Sequence, residues 1–307
     1  MNNLSAMSQS YYEKNASAHE AASRRSIWVS VVANSCLSIA QLMAGLFSDS
    51  QGLIADGIHS LSDLVADFVV LLAAYYSKKS PDDDHNYGHL RYENLASMIL
   101  GGLLLGVGIG MIWAAAYKLQ APNTIQRVHI ISLWVALSAL VVKESLFRYI
   151  MAIAKRVRSS MLVANAWHAR SDAASSLVVA IGIGGNLLGF PLLDPIAALL
   201  VGFMISKMGW SFLSGAMRDL TDHAATEEQI AGISAEILAT PGVSGFHELK
   251  TRKSGDMILA DVHLEIDGSL TVTEGHEIAH QVWINVMARH PVLHLMTHVD
   301  PVAPKQA

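Results

Sequence analysis

Through the first two-thirds of the chain, apolar residues run in long unbroken stretches, with no regular alternation with polar ones. Six such stretches, near 26–47, 53–77, 94–117, 128–151, 161–188 and 194–216, each supply the ~20 residues that a membrane-crossing helix needs. After residue 218 the pattern shortens and becomes amphipathic. EEQIAGISAEIL has helical spacing and follows Thr226, a suitable N-cap. VSGFHELKTRKSG and DMILADVHLEID predict a hairpin turning at Ser254-Gly255. In its second strand Ile258, Ala260, Val262, Leu264 and Ile266 share one face, leaving Asp261, His263 and Glu265 on the other. A helix over 271–289 and a strand over 293–299 complete an α-β-β-α-β order. The expected fold is therefore a six-helix transmembrane domain (26–218), preceded by a polar segment (1–25) and followed by an α+β domain (219–307).

Composition strengthens this division. The chain is 52% hydrophobic and only 15% charged, too apolar for an ordinary soluble protein. Residues 1–25 lack an apolar run, so no cleavable signal is expected. Basic residues collect in alternate connections: Arg24 and Arg25, then Lys78, Lys79 and Arg91, then Lys155, Arg156 and Arg158. The opposite side offers Lys118 and Arg127 and little else. By the positive-inside rule both termini are cytoplasmic, in a plasma or inner membrane. A net charge of −5 argues against a nucleic-acid partner. The single cysteine, Cys36, leaves no disulfide framework and no thiolate cluster, so any bound metal must be held by imidazole and carboxylate.

Two of the apolar stretches carry the same polar spacing, His59-x-x-x-Asp63 and His168-x-x-x-Asp172. Residues four apart project from one helix face, about a turn apart. Each helix thus offers one imidazole and one carboxylate, and two facing helices would complete a four-ligand cage. An aspartate at the centre of a membrane helix costs roughly 2.5–3.5 kcal/mol on insertion scales. Simple helix–helix adhesion would not require the same stereochemistry twice. Taken literally, the span boundaries place the two pairs at different depths, since His59 follows the outer start of its helix and His168 the inner start of its own. Asp56 and Asp67 lie on roughly the face of His59 and Asp63, as relay or packing groups. Asn165 and Arg170 are candidates to orient the fifth-span ligands. Lys143, Glu144, Arg148 and Lys207 are expected to snorkel from helix ends.

With these motifs in place, the chain resembles the cation diffusion facilitator family of divalent-metal transporters. The resemblance runs from about Ser26 to Pro301. It is carried by ADGIHSLSD, DDDHNYGHLRYE, HARSDAASS and HELKTRKSG…VHLE…HVDP. It implies a homodimer that exchanges a cytoplasmic divalent cation for protons, with His59, Asp63, His168 and Asp172 as a tetrahedral transport site. It further implies a metal site in the loop at Asp82, His85 and His89, and an interdomain charge pair between Arg91 and Asp222. In the tail, which resembles small metal-chaperone domains, it implies metal ligands at His247, His263, His276, His298 and Asp300. The His59 form of the motif is the one the family associates with zinc, so Zn²⁺ is the expected cargo and tail metal. Fe²⁺, Co²⁺ and Cd²⁺ fit the same ligands.

Two other classes compete. A metal-sensing membrane scaffold would bind ions without moving them. A membrane metalloenzyme could be built on His276-Glu277-Ile278-Ala279-His280, which satisfies H-E-x-x-H. No glutamate follows Glu277 and Val286 stands where an extended motif needs histidine, so the expectation is a transporter and not an enzyme.

Overall fold

The computed structural model describes residues 28–77, 79–121, 125, 127–157, 160–255 and 257–303. The expected N-terminal segment lies outside the described residues, as do Arg24, Arg25, Lys78 and Arg158 of the charge pattern. Six long helices come first: α1 (Trp28–Ser48), α2 (Gln51–Ser77), α3 (Arg91–Gln120), α4 (Ile130–Val157), α5 (Ser160–Leu187) and α6 (Leu193–Leu220). Then follow α7 (Glu227–Ala239), β1 (Val243–Ser254), β2 (Met257–Asp267), α8 (Val272–Arg289) and β3 (Val292–Val302). The chain clusters into two units. One takes the described residues up to Phe68 with Gly102–Trp210, and the other takes Val69–Gly101 with Ser211 onward.

Among the described residues five helices, α1, α2, α3, α4 and α6, are long and apolar enough to cross a bilayer. The remaining one, α5, has 28 residues, ample for a crossing, but carries Asn165, His168, Arg170, Asp172, Ser175 and Ser176 within its first 17. Its polarity is concentrated where the candidate ligands stand. Large apolar side chains such as Phe47, Trp113, Tyr117 and Leu188 face outward, as a lipid-solvated surface requires.

Small residues let α1 and α2 approach closely. A Cβ on Gly57 would meet the Leu42 side chain at 2.9 Å, and one on Gly45 would meet Ile54 at 2.8 Å. The start of α2 is fixed by Asp194 of α6. Its carboxylate accepts from Ser50 Oγ at 2.6 Å, Gln51 N at 2.7 Å and Gly52 N at 3.3 Å. A distant side chain thereby satisfies amide groups that open a helix and complements its positive end.

In the tail, β1 pairs antiparallel with β2, and β2 parallel with β3, in the order β1-β2-β3. The crossover through α8 is what a parallel neighbour demands. The hairpin turns through Gly255, whose φ of +59° suits glycine. Ile258, Ala260, Val262, Leu264 and Ile266 are buried as the alternation predicts, against Ile233 and Ile237 of α7 and Val282 and Val286 of α8. Both tail helices open with capping boxes, Thr226 with Gln229 and Thr271 with Glu274.

Candidate metal centres

Three groups of histidine and carboxylate side chains converge among the described residues. The first lies inside the helical unit. His59 and Asp63 project from one face of α2, and Asp172 reaches them from α5. His59 Nδ1 is 3.6 Å from Asp63 Oδ2, and His59 Nε2 is 3.7 Å from Asp172 Oδ1. All three residues are buried, and His59 Nδ1 makes no hydrogen bond among the described residues. These separations are too long for hydrogen bonds. They are near the ~3.3 Å edge of a tetrahedron whose metal–ligand bonds are about 2.0–2.1 Å. His168 stands one turn before Asp172, its Nδ1 3.9 Å from Asp172 Oδ1 and its side chain half exposed. Asp172 is thus the residue both imidazoles address. Asp172 stands beside His59 even though the hydropathy boundaries suggested different depths for the two pairs.

Two expectations around this site are corrected. Lys143 does not snorkel. It is buried, and its Nζ lies 3.0 Å from Asp56 Oδ1. It sits mid-helix, because α4 continues to Val157, beyond the apolar stretch that ends near 151. Arg170 does not orient the ligands either: its guanidinium lies 4.8 Å from the Phe147 ring centre and 5.4 Å from that of Trp167. Asp67 is exposed.

The second group lies in the loop between α2 and α3. Asp82 Oδ1 is 3.3 Å from His85 Nδ1, and Asp82 Oδ2 is 3.4 Å from His89 Nε2. The His85 amide donates to Asp82 Oδ1 at 2.7 Å, which, above other causes, holds this carboxyl below its ordinary range. His89 Nδ1 lies 3.3 Å from the Lys79 carbonyl, an acceptor only, so the proton belongs on Nδ1. That leaves the Nε2 lone pair turned toward the carboxylate, the tautomer a metal ligand adopts. In the same unit Arg91 Nη2 donates to Asp222 Oδ1 at 2.6 Å.

The third group is made by strand register. His247 pairs with His263, and His263 with His298, so three imidazoles form a row across the sheet. Asp300 stands two residues beyond His298, on the same face of β3. It is 2.9 Å from His263 Nδ1, 3.3 Å from His247 Nε2 and 3.3 Å from His298 Nε2. The hydrogen bond from His263, ahead of the neighbouring imidazoles, holds the Asp300 carboxyl below the usual range. Just past His247 the register shifts, where Glu248 takes a left-handed φ of 49°. The resulting bulge ends regular pairing beside the row. His276 is not brought to this group: it is exposed on α8, its ring 6.3 Å from that of His280, which lies 5.6 Å from Trp283. Among the described residues neither His276 nor His280 joins a cluster of three ligands.

Residues 27–221 match the family model described as the cation efflux transmembrane domain, and 225–302 match that of the cation efflux protein cytoplasmic domain. The chain belongs to the cation efflux, or cation diffusion facilitator, family. Metal tolerance protein C1 of Arabidopsis thaliana is 34% identical over 280 residues, 86% of this chain and 59% of that protein. The manganese efflux system protein MneS of Bacillus subtilis is 30% identical over 277 residues, 90% of this chain and 95% of that one. A second manganese efflux system protein of that bacterium, MneP, is 31% identical over 93% of this chain and 98% of its own length.

Cation efflux proteins are transporters, so the H-E-x-x-H motif of α8 is not the centre of an enzyme. Family membership also places this chain in a membrane, with divalent cations and a second copy of itself as partners. What sequence reasoning missed is the set of groups around Asp56. The local signal was present in the lysine of α4, but its partner lies 87 residues away.

Proposed function

We propose that this cation efflux protein carries a divalent transition-metal cation out of the cytoplasm in exchange for protons. The observation that carries the reading is the convergence of His59, Asp63 and Asp172 from two helices inside the apolar unit, with His168 one turn away. His59, Asp63, His168 and Asp172 would bind the cargo. A set of two imidazoles and two carboxylates is neutralised by one dication. It holds the ion without thiolates, which suits a site that must also let go. Metal ligands bind only when deprotonated, so protons arriving from outside displace the cargo, and its arrival from the cytoplasm releases them. On this reading α5 also crosses the membrane, giving six spans, the termini are cytoplasmic and the membrane is the plasma or inner membrane.

The tail row and the loop group are regulatory in this scheme. A cation held by His247, His263, His298 and Asp300 would tie β1, β2 and β3 together, with His276 contributing only by a change of position or from another copy. Arg91 and Asp222 would transmit the tail's state to α3 and α6, at whose ends they stand. A scaffold that only senses metal would need this tail but has no use for the buried ligands of α2 and α5.

The imidazole at position 59 favours Zn²⁺. Mn²⁺ is the second reading, favoured by the manganese efflux proteins that align with nearly the whole chain. Uptake into everted vesicles across Zn²⁺, Mn²⁺, Fe²⁺, Co²⁺ and Cd²⁺ decides between them. His59→Asp should retain uptake and shift preference toward Mn²⁺, as a carboxylate replaces a softer ligand. An unchanged preference would remove position 59 from the choice of metal.

A further inference from the structure

Lys143 is a buried cation for which the transport reading has no use. Its side chain is 3% exposed and that of Asp56 is 0% exposed. Besides Lys143, the Asp56 carboxylate accepts from Gln41 Nε2 and from Ser176 Oγ at 2.6 Å, and Ser175 Oγ, whose one proton is shared with the Asp172 carbonyl, lies 3.3 Å away. Every partner is a donor, and together they come from α1, α4 and α5. The group also touches the candidate cargo site, since Ser175 Oγ lies 2.8 Å from the Asp172 carbonyl.

Asp56, His59 and Asp63 follow one another along one face of α2, at positions i, i+3 and i+7. The helix thus presents two carboxylates and one imidazole in a row. Only His59 and Asp63 turn to Asp172, while Asp56 turns to Lys143. A third carboxylate in the cargo's shell would give three negative charges to one dication and more oxygen donors, a set that holds hard ions more firmly. For a carrier, tighter binding slows release. Removing the partner of a buried ion pair leaves a charge with a strong demand for another.

We propose that Lys143 is a specificity-determining residue whose ammonium engages Asp56 and keeps this third carboxylate out of the cargo's donor set. The proposal rests on His59, Asp63, His168 and Asp172 being the cargo site. It makes a prediction of sign that a mere packing role does not make.

The test is steady-state uptake of Mn²⁺ and Zn²⁺ by the full-length protein in proteoliposomes. The wild type is compared with Lys143→Met, Asp56→Asn, the double variant Asp56→Asn/Lys143→Met, and Asp63→Ala. Lys143→Met should lower KM about tenfold for Mn²⁺, less for Zn²⁺, and lower kcat with it, as release slows. Asp56→Asn leaves the ammonium unpaired beside the site, and KM should rise for both ions. The double variant should return KM to within about twofold of wild type. A pair that only locks helices together would impair both single variants alike. An unchanged or raised KM in Lys143→Met, an unchanged or lowered KM in Asp56→Asn, or a double variant that keeps the lowered KM overturns the proposal. If Lys143→Met fails to insert, the rise in Asp56→Asn and its reversal in the double variant decide. Transport that survives Asp63→Ala refutes the cargo site, and the Lys143 proposal falls with it. Loss of transport in Asp63→Ala beside an unmoved KM in Asp56→Asn refutes the Lys143 proposal alone.

Discussion

At the scale of single residues, Asp172 is the centre of the proposed cargo site: it faces His59 at 3.7 Å and His168 at 3.9 Å. The four candidate ligands should therefore not be equivalent. Asp172→Ala and Asp63→Ala each remove a charge that neutralises the cargo, and uptake should fall by about a hundredfold or more. His168 is half exposed and among the described residues has only Asp172 as an ion-pair neighbour, so His168→Ala should cost roughly tenfold. Vesicle uptake normalised to inserted protein measures both. Equal losses would show that His168 is as deeply engaged as the aspartates. The paired motifs were legible in the sequence because a four-residue repeat maps directly onto one helix face. Lys143 was not, because its burial depends on α4 running past its apolar stretch and on a partner in α2.

At the scale of elements, the strands are where the sequence spoke most clearly. Alternation in β2 named five core positions, and all five are buried. Strand register, which no local pattern states, is what sets His247, His263 and His298 side by side. His276 shows the opposite case: matching the family's motif did not bring it to the row. The fragment 220–307 has its own core and capped helices, and should bind Zn²⁺. At a free concentration of a hundred times Kd, binding would add about 2.7 kcal/mol to its stability. His263→Ala, at the centre of the row, should abolish that gain, whereas Glu277→Ala should leave it intact. Thermal melts with and without the ion read this directly, and a gain that survives His263→Ala would move the site elsewhere.

The same fragment has a defined response to acid. The carboxyl of Asp300 is held below its ordinary range, as is that of Glu274, which caps α8. A lowered native value contributes stability above the unfolded value, about 3.9–4.3 for such groups. That contribution is lost as pH falls through the native value. The metal-free fragment should hold these contributions from pH 7 to about 5 and lose them below about 4. Asp300→Asn should flatten the acid limb of its melting profile. An identical acid limb in that variant would show that the His263–Asp300 bond stabilises nothing.

At the scale of the whole molecule, the division into an apolar helical part and an amphipathic α+β tail was visible in hydropathy alone. The fifth span is the least apolar in composition, because α5 gives up apolar length to seat His168, Asp172, Ser175 and Ser176. Functional polarity and span hydropathy compete for the same residues, so the helix that looks least like a span is the one bearing half of the proposed ligands. The alternative of a metal-sensing scaffold fails at this scale if ions move. Proteoliposomes holding the wild type, with an imposed pH gradient and the membrane potential clamped, test the central claim most directly. We predict cargo uptake that follows the size and direction of the proton gradient and disappears in Asp172→Ala. Uptake indifferent to the gradient, or undiminished in Asp172→Ala, would contradict exchange through the His59–Asp63–Asp172 site.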